Sequence, residues 1–598
     1  MHWSAVAKAR RRLAAEHGAV VKDWGGRLPI ALVYPNRYSI GMASLGFQTV
    51  YALANADPGV VCERVFCEPE ADAAGGPLSI EGQRPLADFA AIAFSISFEL
   101  DYFNMVTALR QAGVPLRAAE RGEHDPLVIV GGPAALANPE PIAPFVDVLV
   151  IGEAEPVLPG LLAALREGIA GPRDELLAAL ATIPGVYIPG YYEHVYDRDG
   201  ALVEVAPATP AAPALPVVRQ RAADLAAFAT TSTVLTEECE LRGMYLVEVA
   251  RGCRRGCRFC LAAYGFLPMR ERPLEMLLEQ AEQGLRYRQR IGLVGAAVSD
   301  YSRIDELVGG LRAMGAGIAV SSLRVDTLSD ALLRSLVESG TQTLTLAPEA
   351  GSARLRAVIN KGVTEEHLAR AVEAIAGYRL PKLKLYFMVG LPQETLGDVE
   401  EIVRLVDGIA RALEQRRRRT SISVKLSPFV PKAQTPFQGS AMLPLDELER
   451  RVAVVKRGLR RAGVAVKADS PRWAAVEAVL ARGDRRVAAA IEATGGPAWS
   501  DWQAALAGAG VDAERYLSGR SADGVRPWQS VDSGVKARYL ATEWQRAQRA
   551  VATPPCPPAA VRCARCGTCT GLEPGMDRAC PDPERSEGEG INTMGGEE

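Results

Sequence analysis

The chain has 598 residues, a formal net charge of -3 and 48% hydrophobic residues, a length that one hydrophobic core does not support. Because acidic and basic residues nearly balance, we do not expect the chain to bind nucleic acid. No run of about 18 uncharged apolar residues and no apolar signal-peptide core occurs, so we expect a cytoplasmic protein without a membrane span.

The eleven cysteines are grouped along the chain. Three lie at 253–260, five lie at 556–580, and the other three are scattered. A long chain without a signal peptide is not typical of a disulfide-stabilised fold. The two groups therefore predict sites for metal ions or metal clusters in a reducing compartment.

Residues 1–170 alternate between strand and helix patterns. The strand patterns are Ile30–Tyr34, Val61–Phe66, Ala90–Ser95, Leu127–Val130 and Val146–Ile151. The helical patterns are Leu45–Ala54, Asp101–Gln111 and Glu155–Arg166. This alternation predicts an α/β domain with a doubly wound, Rossmann-like parallel sheet. Its ligand is expected at the carboxyl ends of the strands, where the turns Gly131-Gly132 and Gly152-Glu153 lie.

Those two turns, with Asn138-Pro139-Glu140-Pro141 between them, resemble the cobalamin-binding domain that precedes many radical S-adenosylmethionine (SAM) domains. The resemblance implies that Gly131, Gly132, Gly152 and Glu153 contact cobalamin. The D-x-H-x-x-G motif, which supplies a histidine to the cobalt in many cobalamin proteins, is absent. Any bound cobalamin would thus lack a motif histidine on its lower face. The alternative is a fold of this type that serves as a scaffold or binds substrate.

Residues 171–240 are predicted to connect two domains. Alternating apolar and polar residues between Tyr187 and Val205 indicate a small hairpin. Four prolines between 207 and 216 then disfavour both helix and central strand.

The next apolar run, Tyr245 to Ala250, leads into three cysteines in a C-x3-C-x2-C spacing: Cys253, Cys257 and Cys260. Thiolates are ligands for zinc and for iron–sulfur clusters. A structural zinc site closes with four ligands, whereas three leave one metal position open. The spacing alone also allows a structural zinc loop.

With the aromatic Phe259 before the third cysteine, this loop resembles the signature of the radical SAM superfamily. The resemblance implies that Cys253, Cys257 and Cys260 hold a [4Fe–4S] cluster whose open iron binds SAM. Electron transfer would then cleave SAM to a 5′-deoxyadenosyl radical.

Residues 241–465 repeat a strand–helix pattern six times. The strand patterns are Tyr245–Ala250, Ile291–Ala297, Gly317–Ser322, Gln342–Ala347, Lys382–Val389 and Ser421–Leu426. Right-handed crossovers in series predict a partial (β/α)6 barrel with its chemistry at the carboxyl ends of the strands. The cysteine loop follows the first strand, in agreement with that rule.

The same resemblance implies SAM contacts at the ends of the later strands. The expected contacts are Phe259, Gly295, Ser322, Arg324, Glu349, Arg354 and Gly390. A glutamate such as Glu349 can accept hydrogen bonds from ribose hydroxyls, and Arg354 or Arg356 can pair with a carboxylate. For each residue taken singly, turn chemistry or a surface ion pair is an equal alternative.

Residues 466–555 are predicted to be a helical extension, and residues 556–598 a cysteine-rich tail with a disordered end. The tail contains Cys556, Cys563, Cys566 and Cys569, followed by Cys580. Four thiolates are enough for a tetrahedral zinc site or an auxiliary iron–sulfur cluster.

These resemblances imply a radical SAM enzyme that takes electrons from a reductant such as flavodoxin or ferredoxin. With cobalamin bound, the expected reaction is methylation of an unactivated carbon. Without cobalamin, the radical is expected to abstract a hydrogen atom for some other rearrangement or oxidation. One alternative is methylthiolation of RNA or protein, but such enzymes carry three further N-terminal cysteines, and this chain offers only Cys62 and Cys67. Another is a non-catalytic iron–sulfur or zinc protein. No residue identifies the substrate.

Overall fold

The N-terminal part of the chain folds around a six-stranded sheet. The structure, a computed structural model, describes residues 3–68, 76–416, 420–521, 524–557, 563 and 565–569. Cys580 and the predicted disordered end lie outside these residues. The strands of the first sheet are β1 (Leu28–Tyr34), β2 (Val60–Phe66), β3 (Ala91–Ser95), β4 (Leu127–Gly131), β5 (Val148–Val150) and β6 (Val186–Tyr187).

The strand order is β2-β1-β3-β4-β5-β6, with the first five strands parallel and β6 antiparallel to β5. The helices of this domain are α1 (Trp3–Ala15), α2 (Tyr38–Gly41), α3 (Leu45–Ala56), α4 (Asp101–Gln111), α5 (Pro133–Ala137), α6 (Ala154–Gly168) and α7 (Arg173–Ala181). The predicted doubly wound fold is confirmed. Every residue of β2 is buried, as expected for a parallel strand covered on both faces.

A hairpin and a short strand follow, as β7 (Tyr192–Tyr196), β8 (Leu202–Pro207) and β9 (Val217–Val218). The predicted hairpin is therefore present, and the proline-rich segment after it is irregular.

The second domain is a partial barrel. Its parallel strands are β10 (Tyr245–Glu248), β13 (Arg290–Val294), β14 (Gly317–Val320), β15 (Thr343–Glu349), β16 (Lys382–Val389), β17 (Ser421–Pro428) and β18 (Ala465–Ala468), and β11 (Ala250–Arg251) pairs with β12 (Arg270–Glu271) beside the cysteine loop. The seven strands form the sheets β10-β13-β14 and β15-β16-β17-β18, and a bridge between Leu323 and Leu346 joins the two sheets. The six predicted strands are all present, and β18 adds a seventh.

The barrel helices pack their apolar faces on this sheet. They are α8 (Leu261–Gly265), α9 (Leu274–Leu285), α10 (Ile304–Ala313), α11 (Asp330–Glu338), α12 (Ala353–Val358), α13 (Glu365–Tyr378), α14 (Leu396–Gln415) and α15 (Leu445–Arg461). Several begin at side-chain caps. Thr364 and Thr395 each accept a hydrogen bond from the backbone three residues later, so these helices start where the sequence has a threonine.

The C-terminal extension belongs structurally to the N-terminal domain. Its elements are α16 (Pro471–Arg482), α17 (Val487–Ala493), α18 (Trp499–Gly508), α19 (Glu514–Leu517), β19 (Val531–Asp532) and α20 (Ala537–Gln548). Trp502 is buried in the same hydrophobic core as α4, and its ring lies 5.5 Å from that of Phe103. The extension therefore completes the hydrophobic core of the first domain.

The buried carboxylate of Glu140 forms hydrogen bonds to both the first domain and the C-terminal extension. Glu140 is fully buried and accepts hydrogen bonds from Arg485 at 2.8 Å, Tyr187 at 2.8 Å and Ser530 at 2.8 Å. Burial would raise the pKa of Glu140, but Arg485 and His194 hold it well below its ordinary value. Glu140, part of a predicted cobalamin motif, thus stabilises the contact between the first sheet and the C-terminal extension.

Among the helices that the structure describes, none combines the length and the apolar composition that crossing a membrane requires.

Candidate functional site

A cavity of about 440 Å³ lies between the carboxyl ends of the two parallel sheets. Its inner part is apolar and runs between the first sheet and the helices α3 and α6, lined by Leu32, Ile129, Val150, Val50, Val157 and Leu161. Its outer part reaches the barrel, at Gly252 and Ala262 near the cysteines and at Gly295 and Ala296 after β13. The cavity therefore connects the first domain to the cysteine loop (residues 251–260).

The four residues predicted to contact cobalamin, Gly131, Gly132, Gly152 and Glu153, all line this cavity. Gly152 has a φ of 118°, and a Cβ there would overlap the backbone of Gln220, so this position needs glycine for packing reasons alone. Gly46 differs, because a Cβ there would meet no atom within 4 Å. The cavity thus has open space beside the start of α3.

The rim of the cavity is a network of ion pairs between the domains. Arg251 donates to Glu153 at 2.9 Å, to Glu155 at 2.8 Å and to Glu248 at 2.9 Å. Arg270 donates to the same oxygen of Glu153 at 3.0 Å. Burial would raise the pKa of Glu153, but Arg270 and Arg251 lower it. Glu153 therefore anchors the cysteine loop to the first domain.

The cysteine loop is fastened to the segment that follows α12. The backbone N–H of Arg258 donates to Ile359 at 3.0 Å, and its guanidinium donates to Val358 at 2.8 Å. Asn360 donates to the carbonyl of Gly256 at 3.1 Å. Gly252, with a φ of 84°, lets the loop pass against the backbone of Phe266. The loop is thus held from several sides, as a preorganised ligand site requires.

The three thiols of the loop are near enough to interact electrostatically. Cys253 and Cys257 are 8% and 7% exposed, and Cys260 is half-buried. Burial raises the pKa of Cys260 to about 12, and the thiolates of Cys257 and Cys253 add to that effect. Over the described ranges, no three His, Cys, Asp or Glu side chains are grouped so that they could hold a metal ion as they stand. A set of three thiolates is the donor chemistry of iron–sulfur clusters.

Two cations and a carboxylate accompany the thiols. Lys361 is buried and donates to Glu349 at 3.0 Å, while Arg324 donates to the carbonyl of Lys361 at 2.8 Å. Burial would lower the pKa of Lys361, yet Glu349 and the thiolate of Cys257 raise it. The same thiolate helps to raise the pKa of Arg324, against its burial. Positive charge is therefore placed beside Cys257, which favours a negatively charged group there.

A further ion-pair network connects the loop to the ends of β13 and β14. Arg255 donates to Asp300 at 2.7 Å and to Asp326 at 2.9 Å, and Arg324 donates to Asp326 at 3.0 Å. Burial would raise the pKa of Asp326, but Arg324 and Arg255 lower it. The carboxylates at these strand ends are thus matched by arginines.

The other predicted SAM contacts occupy different surroundings. Gly295 lines the cavity and Ser322 is exposed after β14. Arg354 pairs with Asp398 at the start of α14 and donates to the carbonyl of Gln393 at 2.8 Å. These assignments stay predictions.

Two further predicted SAM contacts are Phe259 in the cysteine loop and Gly390 directly after β16. Phe259 packs beside Met388 in a small hydrophobic cluster. Gly390 has a φ of 85°, and a Cβ there would lie 2.5 Å from Leu448, so packing explains this glycine. Their contact with SAM likewise stays a prediction.

The second cysteine group lies against the cysteine loop. The backbone N–H of Cys556 donates to the carbonyl of Arg254 at 2.7 Å. Cys563 and Cys566 are buried and Cys569 is half-buried. The sequence contained no signal for this contact, because about 300 residues separate the two groups.

Sequence reasoning missed Lys361, Asn360 and the partners of the loop arginines. Arg251, Arg255 and Arg258 of the loop each pair with an acid from another part of the chain. The sequence Asn360-Lys361-Gly362 after a short helix was the available signal for Lys361, and nothing in the pattern indicated that it is buried.

Two family profiles match parts of the chain. The profile described as Radical SAM proteins, N-terminal, matches residues 46–189, and the profile described as Radical SAM superfamily matches residues 247–406. An uncharacterized protein of Methanocaldococcus jannaschii is 29% identical over 474 residues, or 78% of this chain and 91% of that protein.

Two more similarities involve proteins with stated activities. A tRNA-2-methylthio-N(6)-dimethylallyladenosine synthase of Anaplasma phagocytophilum is 28% identical over 228 residues, or 35% of this chain and 48% of the synthase. The chain thus matches about half of that enzyme. The structure of the cobalamin-dependent S-adenosylmethionine radical enzyme OxsB, with aqua-cobalamin and S-adenosylmethionine bound, has a TM-score of 0.46 and 14% identity, covering 75% of this chain and 66% of OxsB.

Proposed function

This chain is a radical SAM superfamily protein, and we propose that it is an enzyme that holds a [4Fe–4S] cluster on Cys253, Cys257 and Cys260. One observation carries the proposal. The three cysteines lie in one loop directly after the first barrel strand, where (β/α) barrels place their chemistry, and this loop lines a cavity shared with the first domain. Three thiolates leave one iron open to bind SAM.

A cluster at this site would supply the electron that cleaves SAM. The chain supplies the surroundings. Cys253 and Cys257 are buried, so water is largely excluded from the site. Lys361 and Arg324 place positive charge beside Cys257, which supports a negatively charged thiolate-ligated cluster.

Glu349 and Lys361 also suit SAM recognition. The Glu349 carboxylate retains acceptor capacity beyond its bond to Lys361, so it can accept from ribose hydroxyls. We propose that this pair orients SAM next to the open iron. The electron would come from a small reductant such as flavodoxin or ferredoxin.

We further propose that the cavity takes cobalamin. The cavity lies at the carboxyl ends of a doubly wound sheet, where such folds bind ligands. Its inner part is apolar, its mouth has open space at Gly46, and it opens onto the cysteine loop. Cobalamin would supply a methyl group, so methylation of an unactivated carbon is the reaction we favour. Neither histidine nor cysteine occurs among the described residues lining the cavity, so this chain would offer the cobalt neither ligand there.

The methylthiotransferase alternative is supported by the 28% identity over 228 residues with the tRNA-2-methylthio-N(6)-dimethylallyladenosine synthase. The first domain argues against it. Cys62 lies within the buried strand β2 and is 1% exposed, and burial raises the pKa of its thiol. Since Cys62 is one of only two cysteines in the first 238 residues, that domain cannot provide three accessible thiolates.

The test is anaerobic reconstitution with iron, sulfide and cobalamin, on wild type and on Cys253→Ala/Cys257→Ala/Cys260→Ala. We expect the triple variant to lose about four irons and to form no 5′-deoxyadenosine from SAM and a reductant. Cobalt should remain in both proteins, because the cavity lies mainly in the first domain. The double variant Cys67→Ala/Cys239→Ala is the matched control.

Each result decides one part of the proposal. Equal iron and equal 5′-deoxyadenosine in the triple variant would contradict the cluster assignment. Iron without any 5′-deoxyadenosine in wild type would favour a non-catalytic iron–sulfur protein. Four irons with no retained cobalt would leave a radical SAM enzyme whose first domain is a scaffold or binds substrate.

A further inference from the structure

We propose that Cys556, Cys563, Cys566 and Cys569 form a second metal centre, bound by four thiolates, that holds the C-terminal segment against the cysteine loop. We call these residues the tail cysteines. The metal is zinc or the iron of an iron–sulfur cluster, since both take four thiolates. This centre is independent of the SAM cluster, because the loop cysteines are not among its ligands.

The first support is the spacing of the tail cysteines in the sequence and their burial in the fold. Cys563 and Cys566 are each 5% exposed, although they lie near the end of the described chain. Cys556 and Cys566 belong to the same hydrophobic cluster, and the C-x6-C-x2-C-x2-C spacing places all four cysteines on one short segment of the sequence. Four cysteines at such a spacing are a typical ligand set for zinc or for an iron–sulfur cluster.

The second support is how firmly this segment docks on the loop. The N–H of Cys556 donates to Arg254, one residue from Cys253. Arg258, fully buried, pairs with Glu543 of α20 at 3.0 Å and donates to the carbonyl of Val551 at 2.7 Å. Cys566 and Cys556 also pack with Tyr264 and Leu267, which directly follow the loop.

The third support is the electrostatic environment. Arg221 donates to the carbonyl of Thr568 at 2.6 Å. Thr568 lies between Cys566 and Cys569 in the sequence. A guanidinium therefore lies beside the tail cysteines, where it can offset the net negative charge of a metal bound by four thiolates.

The contact also sets the distance between the two centres. Backbone geometry across the Arg254–Cys556 hydrogen bond limits the separation of the Cys253 and Cys556 Cα atoms to roughly 11 Å. An iron–sulfur cluster at this distance could exchange electrons with the first cluster, whereas zinc would only stabilise the docked segment. Metal analysis distinguishes the two.

The test uses the full chain, reconstituted anaerobically and assayed for zinc, iron and sulfide. We expect wild type to carry either about one zinc besides about four irons, or about eight irons. The variant Cys566→Ser/Cys569→Ser should lose about one zinc or about four irons and keep the iron of the loop. Cys67→Ser/Cys239→Ser, which replaces two half-buried cysteines outside both groups, should keep all metal.

Hydrogen exchange tests the docking directly. The amides of Val551, Ala552, Thr553 and Cys556 should exchange faster in the tail variant than in the control, because the metal no longer holds the segment. Unchanged exchange would overturn the docking role.

Metal analysis of wild type remains informative if the tail variant does not fold. Wild type with about four irons and no zinc would overturn the second centre while leaving the SAM cluster standing. A loop triple variant that keeps all its iron would instead contradict the proposed function and leave the tail centre untouched.

Discussion

The two sheets turn their carboxyl ends toward each other, yet the two edges are chemically different. The edge of the first domain is formed by glycines and apolar side chains around the cavity. The barrel edge carries Asp300, Asp326 and Glu349, each paired with arginine or lysine. The first edge suits a large organic ligand, and the second suits a charged cluster and a charged cosubstrate.

The buried carboxylates show the same difference. Asp326 on the barrel edge faces two arginines that lower its pKa. Asp101, at the edge of the first sheet, accepts hydrogen bonds from the neutral amides of Asn36 at 2.7 Å and Asn104 at 3.3 Å. Burial raises the pKa of Asp101 to about 6. Charge is therefore compensated on one edge and uncompensated at this point of the other.

Breaking the connection between the edges should have the largest effect. Arg251→Ala removes the cation that faces Glu155, which is 5% exposed, and weakens the pairing of Glu153 and Glu248. We expect the free energy of unfolding to fall by about 3–5 kcal/mol, because a buried carboxylate loses its partner. Urea titrations of the reconstituted protein measure this change.

Adding Glu155→Gln to Arg251→Ala should recover part of the loss, since the uncompensated charge is then gone. Arg303→Ala, which removes an exposed ion pair with Glu275, is the control and should leave stability unchanged. An Arg251→Ala variant as stable as Arg303→Ala would show that the network does not connect the domains.

The next effect concerns Asp101 and depends on pH. Its pKa is about 6 when folded and about 3.9 when unfolded, so its stabilising contribution is complete below pH 4 and is lost as the pH rises through 6. Asp101→Asn should therefore gain stability relative to wild type between pH 4 and pH 7, by roughly 3 kcal/mol. Thermal unfolding at a series of pH values checks the sign.

Asp326→Asn provides the opposite case. Its lowered pKa means that the carboxylate stabilises the folded chain above about pH 4, so the variant should be less stable than wild type at neutral pH. Equal pH profiles for Asp101→Asn and wild type would remove the contrast between the two edges.

The sequence alone predicts the strands and the cysteine loop that form the two edges. Apolar runs such as Val61–Phe66 and Lys382–Val389 predict buried parallel strands, and the cysteine spacing predicts the loop, because both signals are local. The pairing of Arg258 with Glu543 depends on chain segments 285 residues apart and on the packing of α20, which no local pattern encodes. The burial of Lys361 and the position of Trp502 in the core of the first domain escaped prediction for the same reason.

A smaller effect is expected from the barrel edge itself. Lys361→Met leaves Glu349 unpaired and removes positive charge beside Cys257. We expect 10- to 100-fold less 5′-deoxyadenosine per unit time, the usual size for groups that support a metal ligand. Lys361→Arg should retain most of the activity.

Lys432→Met is the matched control, because Lys432 is half-buried and pairs with Glu99 and Glu477 at 2.7 Å each. It should lower stability without a specific loss of SAM cleavage. If both variants lose activity in proportion to stability, Lys361 has only a structural role.

The smallest effect is expected at the mouth of the cavity. Gly46 lies in the first turn of α3 with no atom within 4 Å of a Cβ, so Gly46→Leu should fold normally and occupy the space that the proposed cobalamin needs. We expect cobalamin binding to weaken about tenfold, or about 1.4 kcal/mol, as measured by equilibrium dialysis. Gly408→Leu, on α14 and equally free of neighbours, should bind cobalamin as wild type does. Unchanged affinity in Gly46→Leu would place cobalamin outside this cavity and leave the apolar edge without its proposed ligand.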